Sequence, residues 1–223
     1  MFFQSGVYMN FSVGRSGKLA VIVGKPALII IDMQKDFLNQ RYLLQFPYLI
    51  PNVRRLLEAA RRSKIPIIYS KECHRPQRVD MGSENYPGTG LMYSSQTEDG
   101  SCRVHCVEGT EGVEIIDELA PAAGDYIVQK RRYNAFLGTE LNILLKNLAV
   151  DTLIVSGVFS EICVLFTAGE AHQLDYHVRL IEDCTAGVSI EATRAAVDII
   201  RKLTTGVPIT LESILKALEE TVD

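Results

Sequence analysis

The run Ala27-Leu28-Ile29-Ile30-Ile31 constrains this chain more than any other stretch. It is apolar throughout and rich in β-branched residues, so neither side of it is suited to water. Such a run reads as a strand buried on both faces, the condition of strands in a parallel sheet covered by helices. Similar runs return at Ile65-Pro66-Ile67-Ile68-Tyr69, Tyr126-Ile127-Val128, Thr152-Leu153-Ile154-Val155 and Val178-Arg179-Leu180-Ile181. Val207-Pro208-Ile209 reads as a short last strand. Pro66 suits the start of its strand, where a missing ladder donor is tolerated.

Helix-period stripes separate the runs. Val53, Leu56, Leu57 and Ala60 follow Pro51, a good first-turn residue; Leu141, Leu144, Leu145 and Leu148 follow Thr139, a candidate cap. Val164, Ala168 and Ala171, then Ala192 to Lys202, then Leu211, Ile214, Leu215 and Leu218 continue the pattern. Repeated strand-then-helix units predict right-handed crossovers. The fold class is therefore α/β: a doubly wound, mostly parallel, Rossmann-like sheet of about six strands with helices on both faces. The 223 residues suffice for one such domain spanning 1–223, with 1–25 as an N-terminal arm. Within the arm, Leu19 to Val23 is a candidate edge strand. Residues 71–112 show little periodicity, and an aperiodic stretch of that length predicts a lid or a binding wall.

A formal net charge of −4 gives no electrostatic reason to expect nucleic acid or an anionic membrane as partner. No apolar run approaches the roughly 20 residues that cross a bilayer. The start, MFFQSGVYMNFSVGRSGK, lacks the basic and then apolar pattern of a secretory signal. The five cysteines are odd in number and scattered, so a reducing cytoplasm is expected, with Cys102 and Cys106 left open as a local pair.

Ligands of such sheets bind at the carboxyl ends of the strands. Three reactive side chains fall there: Asp32 after the first strand, Lys130 after the Tyr126 strand, and Cys163 just past the Thr152 strand. If Ser160 caps the following helix, Cys163 occupies its first turn, where free N–H groups and a nearby lysine would depress the thiol pKa. The competing reading of Cys163 is a buried, inert small hydrophobe. Asp32 is either the base that takes the thiol proton or a turn carboxylate. Lys130 either steadies negative charge or is a solvated member of the basic run Lys130-Arg131-Arg132.

The strings ALIIIDMQKDF, HCVEGTEG, VQKRRYNAFLGTEL, LIVSGVFSEICVLFTAGEAHQLDYHV and EDCTAG, in this order and spacing, resemble the isochorismatase-like cysteine hydrolases. That superfamily includes nicotinamidases, N-carbamoylsarcosine amidohydrolases, ureidoacrylate hydrolases and biuret hydrolases. The likeness covers roughly residues 26 to 190. It implies a catalytic triad of Asp32, Lys130 and Cys163. It also implies a cis peptide between Val158 and Phe159 that aims the Phe159 and Cys163 N–H groups at the reacting oxygen. Phe37 would match an aromatic packed on the substrate, or be a core residue. His74 would be a substrate contact or a loop residue, and Asn134 replaces a serine common in the family, altering the pocket wall.

The nicotinamidase metal set is incomplete here. Glu72-Cys73-His74 stands where those enzymes have Asp-x-His, and the next histidine is His105 in a separate string. No metal and no cofactor are therefore expected. The resemblance implies hydrolysis of a C–N bond in a small carboxamide, carbamoyl or ureido compound through an acyl-enzyme on Cys163. It also implies a homo-oligomer, a dimer or tetramer. The rival readings are an isochorismatase-type vinyl-ether hydrolase and a non-catalytic binding or scaffold protein that keeps the fold.

Overall fold

The structure is a computed structural model that describes residues 20–38, 40–81, 94–96 and 102–220. Five parallel strands form its main sheet: β1 (Pro26–Ile31), β2 (Ile67–Glu72), β5 (Tyr126–Lys130), β6 (Thr152–Val158) and β7 (His177–Ala186), in the order β5-β2-β1-β6-β7. A small antiparallel pair, β3 (Ser94–Gln96) with β4 (Cys102–Val104), stands apart from it. The chain builds outward from β1 to β2 and β5, then returns to the other side of β1 for β6 and β7. The direction of winding therefore reverses between β1 and β6, and the carboxyl ends at such a switch point are where sheets of this kind bind ligands.

Alternation along β1 divides the core. Leu28 and Ile30 point into one apolar layer with α2 (Leu49–Arg62) and α6 (Leu211–Glu219). Ala27, Ile29 and Ile31 point into the other, with α3 (Leu141–Asn147), α4 (Leu165–Gln173) and α5 (Ile190–Thr204). A further short helix, α1 (Gln40–Gln45), precedes α2. The stripe Val53, Leu56, Leu57 and Ala60 is buried along α2 as its period requires, with Pro51 in the first turn. Each such fully buried aliphatic side chain contributes on the order of 1.5–3 kcal/mol relative to exposure.

Caps follow the sequence in part. Thr139 Oγ1 accepts from the Leu141 N–H at 3.2 Å, but it stands one residue before the cap position of α3, which is Glu140 and makes no side-chain cap bond. Ser189 and Thr210 are true caps of α5 and α6, each accepting from the N–H three residues on, of Ala192 and Ser213. Ser160 does not cap its helix: its hydroxyl meets Thr185 Oγ1 at 2.9 Å instead. A π-turn over Ser160–Val164 precedes α4, so Cys163 lies in a widened turn and not in the first turn of a regular α-helix.

Two strands anticipated from apolar runs do not form. At Val207–Ile209 one ladder-like bond, from Glu182 N–H to Ile209 O at 3.0 Å, is made. Pro208 has no N–H to extend it. Residues 20–23 make no strand either; the Thr152 hydroxyl accepts from the Val23 N–H and donates to the Val23 carbonyl, and the Arg179 guanidinium donates to the carbonyls of Val21 and Ala20. Leu19 lies outside the described residues.

β1 and β6 come unusually close at their ends. Gly157 pairs with Ile31 and has φ +114°, and a Cβ there would lie 2.1 Å from the Ile31 carbonyl oxygen. Only glycine fits that position. The tight approach sets the distance between the segments that carry Asp32 and Cys163.

Candidate active site

Four strand ends deliver the polar side chains that cluster at the switch point. Asp32 follows β1 directly, in a left-handed conformation (φ 51°) that aspartate tolerates better than most residues. Its N–H donates to Ser70 O at 3.2 Å, and Ser70 Oγ donates to its Oδ1 at 2.7 Å. Glu72 and Lys130 are the last residues of β2 and β5 and sit opposite one another in the parallel register, so their side chains share a face. Cys163 reaches the same place from the π-turn after β6. Asp32, Lys130 and Ser160 are fully buried, while Glu72, His74 and Cys163 are 1%, 1% and 2% exposed.

The Lys130 ammonium is the hub. Its Nζ lies 2.7 Å from Asp32 Oδ2, donates to Glu72 Oε2, donates to Arg132 O at 3.1 Å and stands 3.5 Å from Cys163 Sγ. One ligand atom each from Asp32, Glu72 and Cys163 lie within 4.8 Å of one another around it. The three residues picked out by their strand-end positions are therefore in mutual reach.

The electrostatics of the cluster differ from expectation in one respect. Burial pushes the Cys163 thiol well above its ordinary pKa, against the pull of Lys130, and the two carboxylates add to the rise. The direction is opposite to the depressed thiol expected, because burial outweighs the lysine and two carboxylates already share its ammonium. Burial also raises Asp32, opposed by Lys130 and assisted by Glu72. Burial works on Glu72 in the same sense, yet Lys130 and His74 outweigh it and hold that carboxyl low. Lys130 is raised well above the usual lysine range because Asp32, Cys163 and Glu72 together outweigh its desolvation. Both shifts favour a neutral thiol beside a charged lysine.

The isochorismatase-domain family model matches residues 26–213. The chain belongs to the isochorismatase family. Among curated relatives, the ureidoacrylate amidohydrolase RutB of Yersinia enterocolitica is 26% identical over 182 residues, covering 77% of this chain and 79% of that protein. A probable inactive nicotinamidase of Arabidopsis thaliana is 32% identical over 170 residues, covering 74% and 82%. Among solved structures, an isochorismatase-like hydrolase from Alkaliphilus metalliredigens superposes with a TM-score of 0.69 at 29% identity, covering 87% of this chain and 99% of that one.

Other residues of this isochorismatase-family chain fall around the hub. The Val158–Phe159 peptide is cis, as the resemblance implied. The Phe159 ring meets Phe37 edge-on at 5.3 Å between centroids and Tyr42 at 5.4 Å, and His105 lies 6.3 Å from Phe37. Phe37 is 6% exposed, within the core cluster and against the turn leading to Cys163. His74 is buried, with Nε2 3.1 Å from Glu72 Oε1 and Nδ1 3.7 Å from Asp80 Oδ1. Asn134 Oδ1 accepts from the Phe136 N–H at 2.9 Å and closes its own turn. Cys106 is a free buried thiol, so the local pair with Cys102 is not formed. Much of the anticipated lid or wall, residues 82–93 and 97–101, lies outside the described residues, as does the arm 1–19.

Gln34, Ser70 and Glu72 are the supports that sequence reasoning missed or misplaced. The Gln34 amide donates to Glu72 O and accepts from Glu72 N–H, both at 2.8 Å, and also donates to Val113 O at 2.8 Å. It fixes the end of β2 on the side away from β5, beyond the point where the β1–β2 register stops at Ile31↔Ser70. The signal was present: a glutamine two residues past Asp32, in a string otherwise apolar before it, has amide groups that burial obliges to bond. Glu72 was read only against a metal-ligand pattern. Asp32, Glu72 and Cys163 do form a three-donor group among the described residues, but Lys130 already takes both carboxylates, so the set does not fit a divalent ion as it stands.

No helix among the described residues is long and apolar enough to cross a membrane.

Proposed function

We propose that this protein is an amidohydrolase acting on a non-peptide C–N bond in a small carboxamide, carbamoyl or ureido compound. Cys163 is the nucleophile, Asp32 moves the proton and Lys130 steadies the charges. The observation that carries this reading is the position of Lys130 Nζ, 2.7 Å from Asp32 and 3.5 Å from Cys163, with all three side chains buried. A lysine held there has no structural use that a leucine would not serve better, since burying charge is costly unless function requires it.

The neutral resting thiol sets the order of events. Cys163 gives its proton to Asp32 as its sulfur bonds the substrate carbonyl carbon, and the carbonyl electron pair moves to oxygen. Asp32, whose burial favours the protonated form, returns the proton to the departing nitrogen as the C–N bond breaks. Water then hydrolyses the thioester with Asp32 as base. The turn at Val158–Phe159 and the N–H of Cys163 supply donors for the oxyanion, a contribution of roughly 3–4 kcal/mol per donor in comparable sites. The family likeness to a ureidoacrylate amidohydrolase directs the substrate class toward ureido and carbamoyl groups.

The test is ammonia release from ureidoacrylate, N-carbamoylsarcosine, biuret and nicotinamide, run beside Cys163→Ala. Release by the wild type from at least one compound, abolished in the variant, is expected. Equal release by both, or silence on all four amides together with turnover of an isochorismate-type vinyl ether, overturns the reading.

A further inference from the structure

Glu72 has no part in the three-residue mechanism, yet it is as buried as the residues that do. Its backbone is clasped from both directions by Gln34. One carboxylate oxygen is bound to Lys130 and the other lies 3.1 Å from His74 Nε2. Glu72 stands on β2, the strand between β5 and β1, so the Glu72↔Lys130 register pairing sets it directly beside the ammonium while Asp32 reaches the same ammonium from the end of the next strand. Two carboxylates thus flank one ammonium, although a single one would neutralise it.

We propose that Glu72 is a positioning residue that serves as the standing counter-ion of Lys130, so that Asp32 can take and return the Cys163 proton without leaving a buried ammonium unpaired. The inference rests on the cysteine-hydrolase reading above. When the S–H bond of Cys163 breaks and its proton passes to an Asp32 oxygen, Asp32 becomes neutral and ceases to balance Lys130. The sulfur pair is at that moment committed to the carbon, and the new negative charge has moved outward to the carbonyl oxygen. Without Glu72 the ammonium would face that step with a neutral acid and a thioether-like sulfur as neighbours, a costly state for a fully buried charge. With Glu72 the pair Lys130–Glu72 keeps its charge balance throughout, and only the Asp32–Cys163 pair exchanges a proton.

The division of labour agrees with the opposed environments of the two carboxyls, one raised and one lowered, a pattern that separates a proton carrier from a fixed charge. The groups facing Asp32 are Lys130, Glu72, Cys163 and Ser70. Those facing Glu72 are Lys130, His74 and Asp32, with the Cys106 thiol near both carboxylates and Asp80 behind His74. Among these, Lys130 is the cation in contact with both carboxylates.

The experiment uses Glu72→Gln, which keeps size and hydrogen bonding and removes the charge, with Glu72→Asp beside it. Removing the second carboxylate leaves the ammonium freer to stabilise a thiolate. Cys163 should therefore alkylate with iodoacetamide about tenfold faster near neutral pH in Glu72→Gln, while Cys106 and Cys184 stay as slow as in the wild type. Turnover of the amide that the wild type hydrolyses should move the opposite way, falling about 10²-fold in kcat with KM little changed, as for a misplaced charge in a preorganised site. Glu72→Asp should keep slow alkylation and recover part of kcat. A thiol made more reactive and an enzyme made slower by one substitution is not what loss of a merely structural residue produces. Unchanged alkylation and turnover, uniform exposure of all the cysteines, or failure of Glu72→Gln to fold would each overturn the proposal. If Cys163→Ala keeps full activity, the cysteine-hydrolase reading itself has failed, a separate outcome from any behaviour of the Glu72 variants.

Discussion

Two buried cations sit at opposite ends of the same sheet, and they are held in different ways. Arg179, 4% exposed near the start of β7, donates to Val21 O at 2.6 Å, Ala20 O at 2.9 Å and Val178 O at 2.9 Å. All its described hydrogen bonds go to backbone carbonyls. Lys130, at the carboxyl end of β5, is instead crowded by two carboxylates and a thiol. Arg179 is surrounded by dipoles that do not titrate, so its surroundings are the same at any ordinary pH. Lys130 is surrounded by groups that can each gain or lose a proton. The first arrangement fastens a segment in place. The second is fit for moving protons, and it is the one found at the switch point of the sheet.

The contrast is most exposed to Lys130→Met. This substitution should abolish measurable turnover and leave two buried carboxylates without a cation, at a cost of about 3–5 kcal/mol in stability. The loss should shrink on acidification, because without Lys130 both carboxyls take up protons more readily and then need no partner. Urea unfolding at neutral and mildly acidic pH measures this, and a pH-independent loss would show that Lys130 and Arg179 are alike after all.

Next in size are the proton partners. Cys163→Ala and Asp32→Asn should each lower turnover by at least about 10³-fold, and the double variant should be little worse than Cys163→Ala alone, since the two act on one proton. Steady-state ammonia release, with circular dichroism as a check on folding, decides it; multiplying losses would separate the two residues.

Arg179→Met should behave in the opposite way to Lys130→Met. It strands carbonyls of the 20–23 segment and should cost about 1–3 kcal/mol, with no recovery at acidic pH. Turnover of the folded protein should stay near wild type. A large fall in kcat would mean that the two ends of the sheet are coupled.

The smallest effect expected is that of chelation. Exhaustive treatment with EDTA should leave turnover intact, because the ammonium takes the carboxylates a metal would need. Loss of activity restored by zinc would mean that Glu72 and His74 do serve a metal in the working protein.

The sequence made the candidate site legible where chemistry coincides with the end of an apolar run. Asp32, Lys130 and Cys163 could be placed because each follows a strand whose burial is written in its β-branched residues. Glu72 follows β2 just as closely, but its partner lies 58 residues further on, and pairing in a parallel register leaves no local trace. The π-turn under Cys163 was hidden too, since Val164, Ala168 and Ala171 keep a helical period whether or not the preceding turn is widened. Val207-Pro208-Ile209 shows the reverse error. Its composition is that of a strand, but Pro208 lacks the donor needed to join a ladder. The thiol was misjudged because a nearby lysine was counted without the burial that opposes it, to which the two carboxylates add.

Gly157 carries a consequence for how this chain assembles. β1 offers five consecutive apolar residues, so sliding it two places along β6 would return every side chain to its own layer and leave the core nearly as well filled. Such a slip would carry Asp32 about 6.6 Å away from Cys163, giving a sheet that passes every test of compactness and catalyses nothing. The vacancy at Gly157 discriminates between these outcomes, because at that point of β6 the backbone admits the Ile31 carbonyl at a separation no side-chain-bearing neighbour allows. A residue without a side chain thus acts as a proofreading mark, by which the folding chain recognises the one alignment that is also competent.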